Sequence, residues 1–238
     1  MSDNQRKVLI TGVSSGLGRA LAESQLQAGR EVWGCSRRVP EELVEKGLRH
    51  LELDLSDEMG AAPLRAWLPE GAVWDLVILN AARLGEIRDM ADTPLSDLRL
   101  TMEVNVWSQK WTLDALFDRS AVVRQVVAIS SGASQSGNRG WNGYGISKAA
   151  MNMLMALYAA ERPDTHFTAL APGLVETAMQ DYLGGLPDDP RFSTVARLKQ
   201  ARGTSDMPDA ATCAGILEEV FPKLLRRENG SFVDIRRM

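Results

Sequence analysis

Histidine and cysteine are scarce in this chain of 238 residues, which has two of each. Cys35 and Cys213 are far apart and outside any metal-ligand spacing, so they read as two reduced, buried small hydrophobes and exclude a disulfide framework. His50 and His166 flank apolar stretches with no Cys, Asp or Glu at ligand spacing, so no metal is expected. Long runs of one charge are also missing. The 31 acidic and 27 basic residues are interspersed and leave a net charge of -4, which argues against nucleic acid as a partner. No apolar run reaches membrane-spanning length, and the start, Met1 to Lys7, is polar rather than signal-like; no membrane partner and a cytoplasmic location are expected.

What remains is an ordinary globular composition, 45% hydrophobic and 24% charged, enough for one domain with a sizeable core. Short apolar runs alternate with helical stretches: Val8 to Thr11, Glu31 to Ser36, His50 to Leu53, Asp75 to Asn80, Gln125 to Ser130, His166 to Ala171 and Ser231 to Ile235. Between them, apolar residues recur at helical spacing, as at Leu17, Ala20 and Leu21, and along a long helix from about Leu95 to Leu116. Continuous apolar strands joined by helices predict an α/β fold, a doubly wound parallel sheet of seven strands in a Rossmann arrangement spanning 1–238. Residues 176–208, rich in Gly, Pro, Asp and Met, break the rhythm after a strand end and read as a mobile segment covering a substrate.

After the first run comes T-G-V-S-S-G-L-G, Thr11 to Gly18, opening a helix near Leu17. Gly12 allows a sharp turn, Gly16 lets backbone approach a diphosphate, and Gly18 lets helix pack closely on strand. Together these point to a nucleotide site. The spacing is not the G-x-G-x-x-G of two-domain dehydrogenases. It resembles the short-chain dehydrogenase/reductase family, and the resemblance runs on through Asp54, L-N-A-A at Leu79 to Ala82, Asn105 with Val106, I-S-S at Ile129 to Ser131, Y-G-I-S-K at Tyr144 to Lys148 and P-G-L-V-E-T at Pro172 to Thr177.

The second strand ends in C-S-R-R, Cys35 to Arg38, where an NAD-selective site would carry a carboxylate. Arg37 suits a 2′-phosphate instead, so NADP(H) is the expected cofactor, with NAD(H) less favoured. The resemblance implies that Ser14, Ser15, Gly16 and Leu17 face the diphosphate. It also implies that Asp54 and Leu55 flank the adenine, that Asn80, Ala81 and Ala82 line its ribose, and that Pro172, Gly173, Val175 and Thr177 serve the nicotinamide end. Ala82 replaces the family's usual Gly, and Leu79 its first Asn.

Tyr144 and Lys148 lie four apart, on one helix face. An adjacent ammonium and the positive oxidised nicotinamide both favour the phenolate, so together they are expected to pull the Tyr144 pKa toward neutrality and let it give up its proton at neutral pH. The family pattern assigns Ser131, rather than its neighbour Ser130, to the substrate oxygen. It assigns Lys148 also to the nicotinamide ribose, and Asn105 to a water that links Lys148 to solvent. Serine without a His or acid at triad spacing argues against hydrolysis.

The expected activity is hydride transfer between NADP(H) and a carbonyl or hydroxyl carbon of a small molecule, as in a ketone or aldehyde reductase. A catalytically idle NADP(H)-binding sensor or scaffold is the alternative, and a sugar-nucleotide epimerase is disfavoured by the glycine spacing. Gly140 and Trp141 before the tyrosine resemble the sepiapterin and benzil reductase branch, and Trp141 is either a pocket wall or core. In relatives, the helices around Asn105 and after Tyr144 pack across a two-fold axis, which implies a homodimer or homotetramer.

Overall fold

The computed structural model describes residues 6–238, so most of the polar start lies outside it. In chain order the elements are β1 (Lys7–Thr11), α1 (Gly16–Gln27), β2 (Glu31–Ser36), α2 (Glu41–Glu45), β3 (Arg49–Glu52), α3 (Ala61–Trp67), β4 (Val73–Trp74), β5 (Leu76–Leu79), α4 (Leu95–Met102), α5 (Ser108–Asp118), β6 (Val122–Val123), β7 (Gln125–Ile129), α6 (Asn142–Glu161), β8 (His166–Ala171), α7 (Ala178–Gly185), α8 (Ser193–Ala201), α9 (Ala210–Leu224) and β9 (Phe232–Asp234). Seven strands form one parallel sheet in the order β3-β2-β1-β5-β7-β8-β9. These are the seven expected strands, with ends moved by a residue or two. A second, two-stranded parallel ribbon pairs β4 with β6; its two-residue strands are too short to show a period in sequence.

Alternation along each strand sorts the core into two layers. Leu9, Val77, Val126, Phe167 and Ala169 pack beneath Leu64, Leu113, Leu116, Met151 and Met155 of α3, α5 and α6. Val8, Ile10, Ile78, Val127 and Leu170 face Leu17, Leu21, Leu217, Phe221 and Leu224 of α1 and α9. The sheet is therefore covered on both faces, and ligand access is left to the carboxyl ends of the strands. The order reverses direction between β1 and β5, the crevice where open sheets of this kind bind ligands.

Two expectations need correction. The long helix from Leu95 is three pieces, because a π-helical turn, Glu103–Trp107, separates α4 from α5. The low helix propensity of Asn105 is thereby accounted for, since it sits inside that turn rather than in regular helix. Residues 176–208 are largely helical, through α7 and α8, and bury Leu183, Val195, Leu198 and Met207 against Trp141 and Tyr144.

Gly18 shows how tightly the first helix seats. A Cβ there would lie 2.2 Å from the Gly12 carbonyl oxygen and 2.3 Å from Asn80 Nδ2, and the first of these is backbone that cannot yield. Gly18→Ala is expected to lower unfolding free energy by ~2 kcal/mol or more, as overpacking does, visible as a reduced denaturation midpoint; a midpoint unchanged from wild type would contradict this packing.

Candidate active site

Polar side chains at the carboxyl ends of β1 and β5 hold the crevice in shape. The Thr11 hydroxyl accepts from the backbone N–H groups of Asn80 and Ala81 at 2.9 and 3.1 Å and donates to Gln109 Oε1 at 3.2 Å. The Asn80 amide donates back to the Thr11 and Gly12 carbonyls, and Gln109 donates to the Ala81 carbonyl. Thr11 and Gln109 are fully buried, so each of these bonds satisfies a group that would otherwise be costly there. Sequence reading missed Thr11 and Gln109, whose partners lie 69 and 98 residues away.

A cavity of about 860 Å³ opens above this crevice. Gly12, Ser14, Ser15, Gly16 and Leu17 line one side, followed by Arg37, Asp54 and Leu55, then Asn80, Ala81 and Ala82. Ser131, Tyr144, Lys148, Pro172, Gly173 and Val175 line the rest, with Thr177 beside Gly16. Of the expected site residues, Gly18 and Asn105 do not reach the cavity. Gly12 and Gly16 take the left-handed conformation, at φ 78° and 56°, and a Cβ on Gly16 would press on the Thr177 methyl at 3.3 Å. Ala82 takes no positive φ, so replacement of the family's glycine costs the turn nothing.

The residues fit a dinucleotide. Helix α1 starts at Gly16 with no side-chain cap and no acidic residue in its first turn, which leaves N–H groups and the positive end of the helix open to an anion. At the end of β2, Arg37 and Arg38 both line the cavity, and among the described residues neither lies within ion-pair distance of a carboxylate. Asp54 is turned inward on Ser56, accepting its backbone N–H at 2.9 Å and its hydroxyl at 2.8 Å. Those bonds, the backbone one foremost, hold its carboxyl below the usual range, with Arg37 adding to the effect.

At the other end, α6 carries Tyr144 and Lys148 one turn apart. Lys148 Nζ donates to the Ile129 carbonyl at 2.6 Å and lies 5.5 Å from the centre of the Tyr144 ring. Ser131 Oγ accepts from the Ala133 N–H and lines the cavity together with Tyr144. Ser130 turns the opposite way, donating to Asn152 Oδ1 at 2.6 Å. Burial pushes the Tyr144 phenol up, with the Ser131 hydroxyl opposing, and pushes Lys148 down to about 8. Among the protein's own groups desolvation outweighs any pull of the ammonium on the phenol, and the pull expected of a positive nicotinamide would come on top. Tyr144 is thus held protonated, the state a proton donor needs.

Asn105 faces away from the cavity. Its Oδ1 accepts from the Arg83 N–H at 2.8 Å, and its Nδ2 donates to the Arg83 carbonyl and to Ser147 Oγ, while Ser147 donates to the Tyr144 carbonyl. The side chain ties the π-helical turn to the segment carrying Arg83 and to the first turns of α6. Trp141 is both core and wall: it lies 9% exposed with its ring 5.9 Å from that of Tyr144 and also lines the cavity. Arg83, Arg197, Arg236 and Arg237 line the cavity too and were not foreseen, since lone arginines in loops and helix faces carry no periodic signal.

Lys148 allows a check on this burial. The folded chain sheds its proton near pH 8, while the unfolded chain keeps it to the ordinary lysine value. Between those values the unfolded state binds more protons, so this group makes stability rise with pH there. Relative to Lys148→Met, the cofactor-free wild type should gain up to ~1.4 kcal/mol per pH unit between about pH 8 and 10. Parallel stability curves for the two proteins over that window would show that Lys148 is not desolvated.

Comparison with known proteins agrees with this geometry. The family model for short chain dehydrogenase matches residues 6–185. Sepiapterin reductase from Meriones unguiculatus is 33% identical over 241 aligned positions, covering 90% of each chain. Benzil reductase ((S)-benzoin forming) from Bacillus subtilis is 25% identical, covering 96% of this chain and 97% of its own. Among solved structures, the angucycline C-6 ketoreductase LanV with bound NADP superposes with a TM-score of 0.78 at 20% identity, covering 96% of this chain and 94% of its own, a likeness of fold. A family match over most of the chain, joined to relatives aligned nearly end to end, places the protein in the short-chain dehydrogenase/reductase family, as an oxidoreductase.

Proposed function

We propose that the protein is an NADPH-dependent reductase of ketones or aldehydes, acting on a small-molecule carbonyl or, in reverse, on the corresponding alcohol. The observation that carries this reading is that Ser131, Tyr144 and a buried Lys148, its ammonium 5.5 Å from the Tyr144 ring, line one cavity with the glycine loop and Arg37. When bound, the dinucleotide supplies the hydride. Arg37 and Arg38 would hold a 2′-phosphate, and the start of α1 the diphosphate. Lys148 has N–H groups beyond the one given to Ile129 and would offer them to ribose hydroxyls.

Ser131 would then give its hydrogen bond to the substrate carbonyl oxygen and polarise it. Tyr144 would pass its phenolic proton to that oxygen as negative charge builds there, so the high resting pKa keeps the acid loaded until charge demands it. The phenolate left behind is stabilised by the ammonium 5.5 Å from the ring. Asn105 is a positioning residue in this scheme, fixing Ser147 under the backbone of Tyr144. The names of the relatives, sepiapterin reductase and benzil reductase, support a carbonyl substrate. Exposed Trp107, Met153 and Leu157 on the two helices that flank Asn105 and follow Tyr144 favour a homodimer or homotetramer.

Oxidation of NADPH should be measurable with activated diketones, and Tyr144→Phe should lower kcat by at least ~100-fold, the contribution of a positioned general acid, with cofactor binding retained. Turnover by the phenylalanine variant at the wild-type rate would overturn the scheme. Arg37→Asp should weaken NADPH by ~10-fold or more relative to NADH, as loss of a charge-assisted phosphate contact requires; equal losses for the two cofactors would refute the NADP preference.

A further inference from the structure

We propose that the substrate carries an oxyanion, a carboxylate or a phosphate, in addition to its carbonyl, and that Arg197 is the residue that recognises it. This deepens the reductase reading and rests on it.

The segment 176–208 carries four cations, Arg191, Arg197, Lys199 and Arg202. Three are committed to carboxylates of the same region or its neighbour: Arg191 to Asp189 and Asp89, Lys199 to Asp188, and Arg202 to Glu176 and Asp181. Arg197 has no ion pair or hydrogen bond among the described residues. It is also the one of the four that lines the cavity. The next residue, Leu198, is buried in the apolar cluster of Trp141 and Tyr144, so α8 is seated there and presents Arg197, itself exposed, along the cavity.

A second arginine of the lining is paired. The C-terminal turn brings Arg236 against the loops after Ser131 and Pro172. Its Nη2 lies 3.3 Å from where a Gly132 Cβ would be, and its stem lies within 3.8 Å of the corresponding Gly173 position. Arg236 is anchored by a fork to Asp234, at 2.9 and 2.6 Å. That fork neutralises Asp234, and the other lining carboxylate, Asp54, sits at the adenosine end on Ser56. Beyond Arg37 and Arg38, the cavity lining therefore carries unpaired positive charge, that of Arg197 included, and no carboxylate without a partner. The 2′-phosphate and the diphosphate already have partners in Arg37, Arg38 and the start of α1, so this positive charge is left for the substrate. A guanidinium suits an oxyanion through two parallel N–H bonds, and a neutral ketone has no use for it.

The test is a series of 2-, 3- and 4-oxo carboxylates, each beside its methyl ester, assayed with NADPH. At least one acid should exceed its ester in kcat/KM by about tenfold, the factor for one charge-assisted bond, with the gain in KM. Arg197→Ala should lower kcat/KM for that acid about tenfold more than for its ester, and Arg197→Lys should restore part of the difference. Esters reduced as well as acids throughout, or equal losses for acid and ester in the alanine variant, would overturn the proposal. If no compound of either kind is reduced, the reductase reading is what fails. Quenching of tryptophan fluorescence by the acids in the NADPH-loaded protein then decides the anion site: saturable binding to wild type that the alanine variant loses supports it, and equal or absent binding overturns it.

Discussion

A single hydroxyl, that of Thr11, holds together the place where the sheet reverses its winding. Parallel strands β1 and β5 end side by side there, and their last backbone N–H and carbonyl groups run out of ladder partners just where a ligand must approach. Thr11 and Asn80 satisfy those groups reciprocally, and Gln109 closes the set from the helical layer. Buried polar groups left unpaired cost roughly 1–3 kcal/mol each, so the arrangement keeps a crevice open that would otherwise collapse or fray. The glycine loop, the start of α1 and the floor of the cavity all take their position from it.

The reacting end rests on a second constraint, that a lysine and a tyrosine are buried together. Desolvation moves their two pKa values apart, the phenol upward and the ammonium down to about 8. A buried cation is tolerated because the Ile129 carbonyl accepts from it and because the cavity beside it admits water or ligand. The resting protein thus stores a protonated phenol near an ammonium that is easily discharged. That is a different balance from the one an isolated Tyr–Lys pair on a solvated helix would reach, where the charge of lysine would lower the phenol.

Above the crevice, α7 and α8 form a helical cover held by ion pairs to the segment around Asp89 and to Glu176 in the loop after β8. Such exposed pairs are individually weak. The cover is carried mainly by its apolar side, Leu183, Val195, Leu198 and Met207, packed against Trp141 and Tyr144. Its cations set the character of the cavity beyond the cofactor region, because most are spent on local carboxylates and one is not.

The strand periods, the glycine spacing, the Tyr144–Lys148 offset and the arginine after the second strand were legible in the chain itself, because each is a local pattern that secondary structure converts directly into position. Hence the doubly wound sheet followed from residues read in order, and of the site residues so read only Gly18 and Asn105 lie off the cavity. Tertiary structure alone decided what depends on distant partners or on desolvation. Thr11 meets Gln109, Asn105 turns to Arg83 and Ser147 instead of the cavity, and the π-helical turn interrupts a run whose apolar spacing looked continuous. A composition of Gly, Pro and Asp hid the two covering helices, whose few apolar residues are enough only because Trp141 and Tyr144 are there to receive them. The direction of the Tyr144 shift could not be read from its neighbour in sequence, since burial is a property of the whole fold and here it outweighs the nearby charge.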